Sequence, residues 1–241
     1  MKKVERQIDF QLCGLQVREA EDGKKSRTIV GHAVVFGVRS VNLVPWSSYR
    51  EIYEIMEPGS ITQELVNRSD VVLTAFHDNH IILGRWRMGR GTLKLTIDQK
   101  GLRCECKLAE TATADELLTS IERGDITGMS FAYTADEEDS ENGVSYEKTN
   151  ETHDGKEVWL RHVKRVNGLY DVTIAGHPAY EQTDVAQREI CQGILDKIEA
   201  PIKAEEEKKR KQREADEAAA KAAAEKEHQR RLREQEMLLL M

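Results

Sequence analysis

The feature that most limits the fold is a period of two, because apolar and polar side chains alternate through much of the chain before residue 200. Leu93, Leu95 and Ile97 alternate with Lys94 and Thr96 up to Asp98-Gln99-Lys100-Gly101, and Leu102, Cys104, Cys106 and Leu108 alternate away from it. Successive side chains of a strand point to opposite faces, so this pattern predicts a half-buried hairpin with its two apolar faces in register. Ile8, Phe10 and Leu12 predict a further half-buried strand, followed by a polar turn around Asp22-Gly23. More strands are expected over Thr28 to Phe36, after a Pro45 loop over Glu51 to Glu57, and over Val71 to Phe76, which ends at His77-Asp78.

Two short helices interrupt the strands. Pro58-Gly59 breaks the chain before Ser60, which stands three residues ahead of Gln63 as a capping box would, with Ile61 and Leu65 on one helical face. Thr113-Ala-Asp-Glu116 repeats that spacing ahead of Leu117, Leu118 and Ile121, and Gly124 is expected to close the helix. In Gly128 to Tyr133, Met129, Phe131 and Tyr133 share one strand face, while Ser130 and Ala132 take the outward one. A mobile acidic loop is expected from Asp136 to about Gly155, then strands over Val158 to Val163 and Leu169 to Ile174. The whole predicts a mainly β fold, a barrel or sandwich with peripheral helices.

Composition divides the chain of 241 residues into an expected globular domain over 1–195 and a charged, helix-prone or disordered tail over 196–241. From Pro201 on, 11 basic and 10 acidic residues leave 25 basic and 33 acidic residues before it, a net charge of −8. That balance argues against a nucleic-acid surface, which needs clustered Lys and Arg, and the basic run Lys208 to Arg213 is offset by Glu205, Glu206 and Glu207. No apolar stretch approaches the ~20 residues of a membrane helix, and the charged MKKVERQIDF start is unlike a signal peptide, so the expected location is the cytoplasm. Cys13, Cys104, Cys106 and Cys191 fit reduced, buried thiols better than disulfides or a metal site. No cofactor is expected.

A serine nucleophile needs a base, a group that holds the base, and donors for the oxyanion. Three candidates stand in suggestive contexts: His77 ends an apolar strand, Ser130 lies just past a capped helix, and Asp171 sits within Leu-Tyr-Asp-Val-Thr-Ile. There Val172 and Ile174 share a face, so Asp171 and Thr173 project to the other. A metal hydrolase built on His77, Asp78 and His80 is the competing enzyme class, but these residues lack the His-Glu-x-x-His helical spacing.

The segments Gly31-His-Ala-Val-Val-Phe36, Glu57-Pro-Gly-Ser60, Phe76-His-Asp78 with Leu83-Gly84, Gly101-Leu102, Gly124-Asp-Ile-Thr-Gly-Met-Ser-Phe131 and Pro178-Ala-Tyr180 resemble, in order, the blocks of the tailed-phage prohead proteases. The resemblance implies a closed β-barrel of the herpesvirus maturational protease (assemblin) type. It implies a serine endopeptidase that cleaves phage scaffold protein, major capsid protein precursor and its own chain inside the procapsid, in the host cytoplasm. It places the nucleophile on Ser130 and the base on His77. The third member falls on Asp171, where the phage pattern has an acid, with His177 as the rival because herpesvirus enzymes use a second histidine. Those relatives work as dimers, which makes a homodimer an expectation too. The non-enzymatic alternative is a capsid assembly or scaffold component with a protease-like barrel.

Overall fold

A computed structural model describes residues 4–7, 10–19, 26–176 and 185–239. The chain begins with β1 (Val4–Gln7), a helical turn α1 (Phe10–Cys13), β2 (Gln16–Val17), β3 (Thr28–Val35) and β4 (Arg50–Met56). After α2 (Gln63–Arg68) come β5 (Asp70–Ala75), β6 (Asp78–Arg87), β7 (Arg90–Gly91), β8 (Leu93–Ile97) and β9 (Gly101–Lys107). After α3 (Ala112–Glu122) come β10 (Gly128–Ala135), β11 (Val144–His153), β12 (Lys156–Val163), β13 (Val166–Ala175) and α4 (Val185–Leu239). The fold is mainly β with a few helices, as the alternation predicts.

The strands form three sheets, ordered β1-β10-β13-β5-β6-β7, β11-β12-β4 and β2-β3-β9-β8. The implied closed barrel is not laid down by the hydrogen-bond ladders, since none of the three sheets of described residues returns to its first strand. Part of the gap is bridged by residues beyond β3. Gly37, Ser40 and Leu43 donate their N–H groups to Met56, Glu54 and Ile52 oxygens at 2.8 Å, carrying the chain from β3 onto β4.

Leu93, Leu95 and Ile97 pair with Cys106, Cys104 and Leu102, the register that the alternation predicts. The sheets approach closely where side chains are absent. A Cβ at Gly31 of β3 would stand 2.8 Å from Met129 Sδ of β10, and one at Gly84 of β6 would stand 2.6 Å from Cys106 Sγ of β9. Leu65 and Val66 of α2, Leu117, Leu118 and Ile121 of α3, and Leu73, Leu95, Leu102, Phe131 and Ile174 of the strands share one apolar core.

Three expectations are corrected, and one strand is added. Phe10 and Leu12 belong to the turn α1, which buries Cys13 while Leu12 stays exposed; Ile8 lies outside the described residues. The helix caps are Thr62 and Thr111, whose hydroxyls accept the Leu65 and Ala114 N–H groups, whereas Ser60 is buried ahead of its helix. The loop from Asp136 to Gly155 contains the ten-residue strand β11, because its backbone pairs with β12 although its side chains are mostly polar and exposed. Residues 78–87, for which the alternation predicts no element, form strand β6, whose Ile81, Leu83 and Trp86 pack against the core. Asn79, His80, Ile82, Arg85 and Arg87 are exposed, and the ladder to β5 carries two register shifts.

One buried cation ties two sheets together. The Arg161 guanidinium on β12 is fully buried and bonds to Glu54 on β4, to Glu137, and to the Tyr133 hydroxyl on β10 at 2.9 Å. Burial disfavours its charge, but Tyr133, Glu54 and Glu137 outweigh that effect and hold its pKa above the ordinary value.

By chain contacts the molecule divides into two units, residues 1–193 and 194–241. The second consists of the greater part of α4, with Pro201 inside it and i,i+4 ion pairs such as Glu205–Lys209 and Glu207–Lys211 along its exposed surface. Among the described residues no helix is long and apolar enough to cross a membrane.

Replacing Arg161 by Leu leaves the Glu54 carboxylate buried without its cation, so a loss of about 3–5 kcal/mol in unfolding free energy is expected by chemical denaturation. A change under about 1 kcal/mol would mean that the pair is solvated in the folded protein. Burial also pushes the thiols of Cys104 and Cys106 up, to about 12 and about 11 respectively. Both should resist iodoacetamide at pH 8 until urea unfolds the chain, because the thiolate is the reactive form. Rapid alkylation of the folded protein would contradict that burial.

Candidate active site

The geometry of the site follows from one sheet. Strand β13 lies between β10, to which it is antiparallel, and β5, to which it is parallel. The register sets Ser130, Thr173 and Thr74 side by side on three neighbouring strands, with Ala132, Asp171 and Val72 forming the next row. A register shift between Ala132 and Tyr133 accommodates Tyr170 next to Asp171, and such bulges re-aim the side chains beside them.

His77 reaches this row through an unusual turn. Ala75 pairs with Asp78, so Phe76 and His77 are the two residues of a tight hairpin between β5 and β6. Both have φ of 57°, the left-handed region that a two-residue primed turn demands and that costs a residue with a Cβ about 1–2 kcal/mol. The turn is fastened to β13: the Phe76 N–H donates to the Ile174 carbonyl and the His77 N–H donates to Thr173 Oγ1, both at 2.9 Å. Thr74 Oγ1 also donates to Thr173 Oγ1, at 2.9 Å.

So placed, the imidazole joins the other two candidates. His77 Nδ1 lies 2.9 Å from Asp171 Oδ1 and His77 Nε2 lies 2.8 Å from Ser130 Oγ. An ionised carboxylate can only accept, so Asp171 takes the Nδ1–H and leaves the Nε2 lone pair for the Ser130 hydroxyl. Asp171 is 2% exposed and Ser130 is 0% exposed. The alternation around Ser130 holds, with Met129, Phe131 and Tyr133 in the core, but its own face is covered and not open to water as expected.

The remaining candidates separate from this group. Asp78 accepts from His80 Nδ1 at 2.9 Å on the exposed rim, while both nitrogens of His77 are turned to Asp171 and Ser130, so the three do not converge on a metal position. Among the described residues no cluster of three or more His, Cys, Asp or Glu side chains is arranged to hold a metal ion. His177 lies outside the described residues, as does Pro178-Ala-Tyr180. Thr173 is the residue that sequence reasoning passed over. Its i+2 spacing from Asp171 put it on the right face, but nothing in the sequence showed that the His77 backbone would come to its hydroxyl.

Chemically this is the arrangement of a nucleophilic serine hydrolase: a hydroxyl, an imidazole held in one tautomer and a buried acid in one hydrogen-bonded line. The sequence model of the caudovirus prohead serine protease matches residues 14–194, and the chain belongs to that family of phage capsid-maturation proteases. No curated protein and no solved structure matches the chain.

The left-handed hairpin can be tested apart from chemistry by comparing Phe76→Asn with Phe76→Val, since both lose the ring. Asn tolerates positive φ and a β-branched residue does not, so the Asn variant should be the more stable by about 1–2 kcal/mol in chemical denaturation. Equal stabilities would show that residue 76 does not hold this conformation.

Proposed function

We propose that this chain is a serine endopeptidase of prohead maturation, with Ser130 as nucleophile, His77 as general base and then general acid, and Asp171 as the acid that orients it. The observation that carries the reading is the imidazole bonded at both nitrogens, to Asp171 at 2.9 Å and to Ser130 at 2.8 Å. The Ser130 oxygen attacks the scissile carbonyl carbon as its proton passes to His77 Nε2, and Asp171 stabilises the imidazolium. That proton then goes to the leaving amine as the C–N bond breaks. Water, deprotonated in turn by His77, releases the acyl group and restores the hydroxyl.

Family membership supports the setting, a procapsid assembling in the host cell, and supports scaffold protein and major capsid protein precursor as substrates, with the chain itself as a further one. The barrel belongs to this reading as well. Residues 37–43 extend the wall from β3 to β4 by backbone hydrogen bonds and β6 packs against β8, so we read the three sheets as parts of one wall.

A fluorophosphonate probe tests the chemistry without a known substrate, because the Ser130 oxygen would form a bond to phosphorus as fluoride leaves. Intact mass should show one label on the full chain, lost in Ser130→Ala and in His77→Ala. Asp171→Asn should slow labelling by ~10²-fold to ~10⁴-fold, as losing a triad acid does, while His177→Ala should cost little. Labelling of the folded Ser130→Ala protein at its normal rate would sink the assignment. A dependence on His177 and not on Asp171 would transfer the third role to the histidine.

A further inference from the structure

We propose that Thr173 is a positioning residue for His77: its hydroxyl fixes the left-handed hairpin tip, and so sets where the imidazole stands between Asp171 and Ser130. The inference rests on the roles proposed above for those three residues and adds a fourth.

The argument is an accounting of one oxygen. A threonine hydroxyl offers two lone pairs and one proton. Both lone pairs of Thr173 are taken, by the Thr74 hydroxyl and by the His77 N–H, each at 2.9 Å. That leaves its own proton, and the nearest acceptor for it is the Ile174 carbonyl at 3.5 Å, a long contact. Thr173 and Thr74 are both fully buried, so no water can replace either partner.

The His77 bond is not part of any ladder. In a two-residue hairpin the second turn residue's N–H points away from both strands, and β13 supplies the acceptor from a side chain instead of its backbone. This matters because the turn opposes its own geometry. Neither Phe76 nor His77 is a glycine or an asparagine, yet both sit at φ of 57°, a conformation that persists only where surrounding bonds enforce it. Two bonds to β13 do so, one through the Phe76 N–H and one through the His77 N–H. The second acts on the residue whose ring must span Asp171 and Ser130, and both of those stand on the strands that flank or carry Thr173. Thr173 touches none of the reacting atoms in this scheme. It acts through the backbone of the base.

Thr173→Val keeps the shape and removes the oxygen. With the fluorophosphonate probe and the full chain, the maximal labelling rate should fall about 30-fold while the half-saturating probe concentration stays within about twofold, because a base displaced by a fraction of an ångström loses rate and not binding. Nitrogen-15 spectra of the His77 ring should lose the hydrogen-bonded Nδ1–H signal, or move it, in the folded variant. Thr173→Ser restores the oxygen and should return both readouts to within about threefold of the parent. A folded Thr173→Val protein with a parental rate and unchanged ring signals overturns the proposal. If Thr173→Val does not fold, Thr173→Ser decides alone, and a tenfold loss with the hydroxyl retained overturns it. If the parent itself is not labelled at Ser130, the protease reading fails, and the ring signals still report whether Thr173 holds His77.

Discussion

The site depends first on the pairing of β13 with two neighbours at once. Its antiparallel ladder to β10 sets Ser130 opposite Thr173, and its parallel ladder to β5 sets Thr173 opposite Thr74. A slip of one residue in either ladder would turn Ser130 or Asp171 into the apolar core and bring Met129 or Val172 onto the face that carries the site. The apolar residues on the other face oppose such a slip, since Met129, Phe131, Val172 and Ile174 are all fully buried. Core packing and site geometry are therefore two faces of the same register.

The turn at Phe76 and His77 shows how the fold departs from local preference for the sake of that site. Residues with side chains occupy positions that glycine or asparagine would fill at lower cost, and the energy comes from bonds that β13 provides. Arg161 works similarly on the neighbouring sheet β11-β12-β4, where a buried charge is stabilised by the acids and the tyrosine gathered around it. The first device holds three strands of one sheet in a fixed relation, and the second holds strands of two different sheets.

The sequence was readable where one face of an element is buried and the other is not. The β8–β9 hairpin, the core face of α3 and the alternation through Ser130 and Asp171 could all be seen in the spacing of Leu, Cys, Met and Val. It was unreadable where the backbone alone makes the element. Strand β11 has Thr, Asn, Glu and His exposed on an outer strand, so no apolar period marks it. The Phe76-His77 turn has none of the residues that announce a primed turn, so the hairpin that delivers His77 was hidden. Ser60 and Thr113 resemble caps because Gln63 and Glu116 stand three positions after them, and only the chain path selects Thr62 and Thr111. Thr173 illustrates the same limit at the site, as its face was legible and its partner was not.

The outer edge of the strand that carries Ser130 is not bare. Strand β1 pairs with it antiparallel over Val4 to Gln7, with Gln7 opposite Ser130, and the family match begins only at residue 14. A four-residue ladder at the rim of a sheet opens more readily than the strands inside it. It is also tethered, and a tethered segment competes as if present at roughly millimolar concentration. Any extended peptide that adds to this edge from another molecule therefore meets an intramolecular rival, and its apparent affinity is lowered by the fraction of time that β1 occupies the edge.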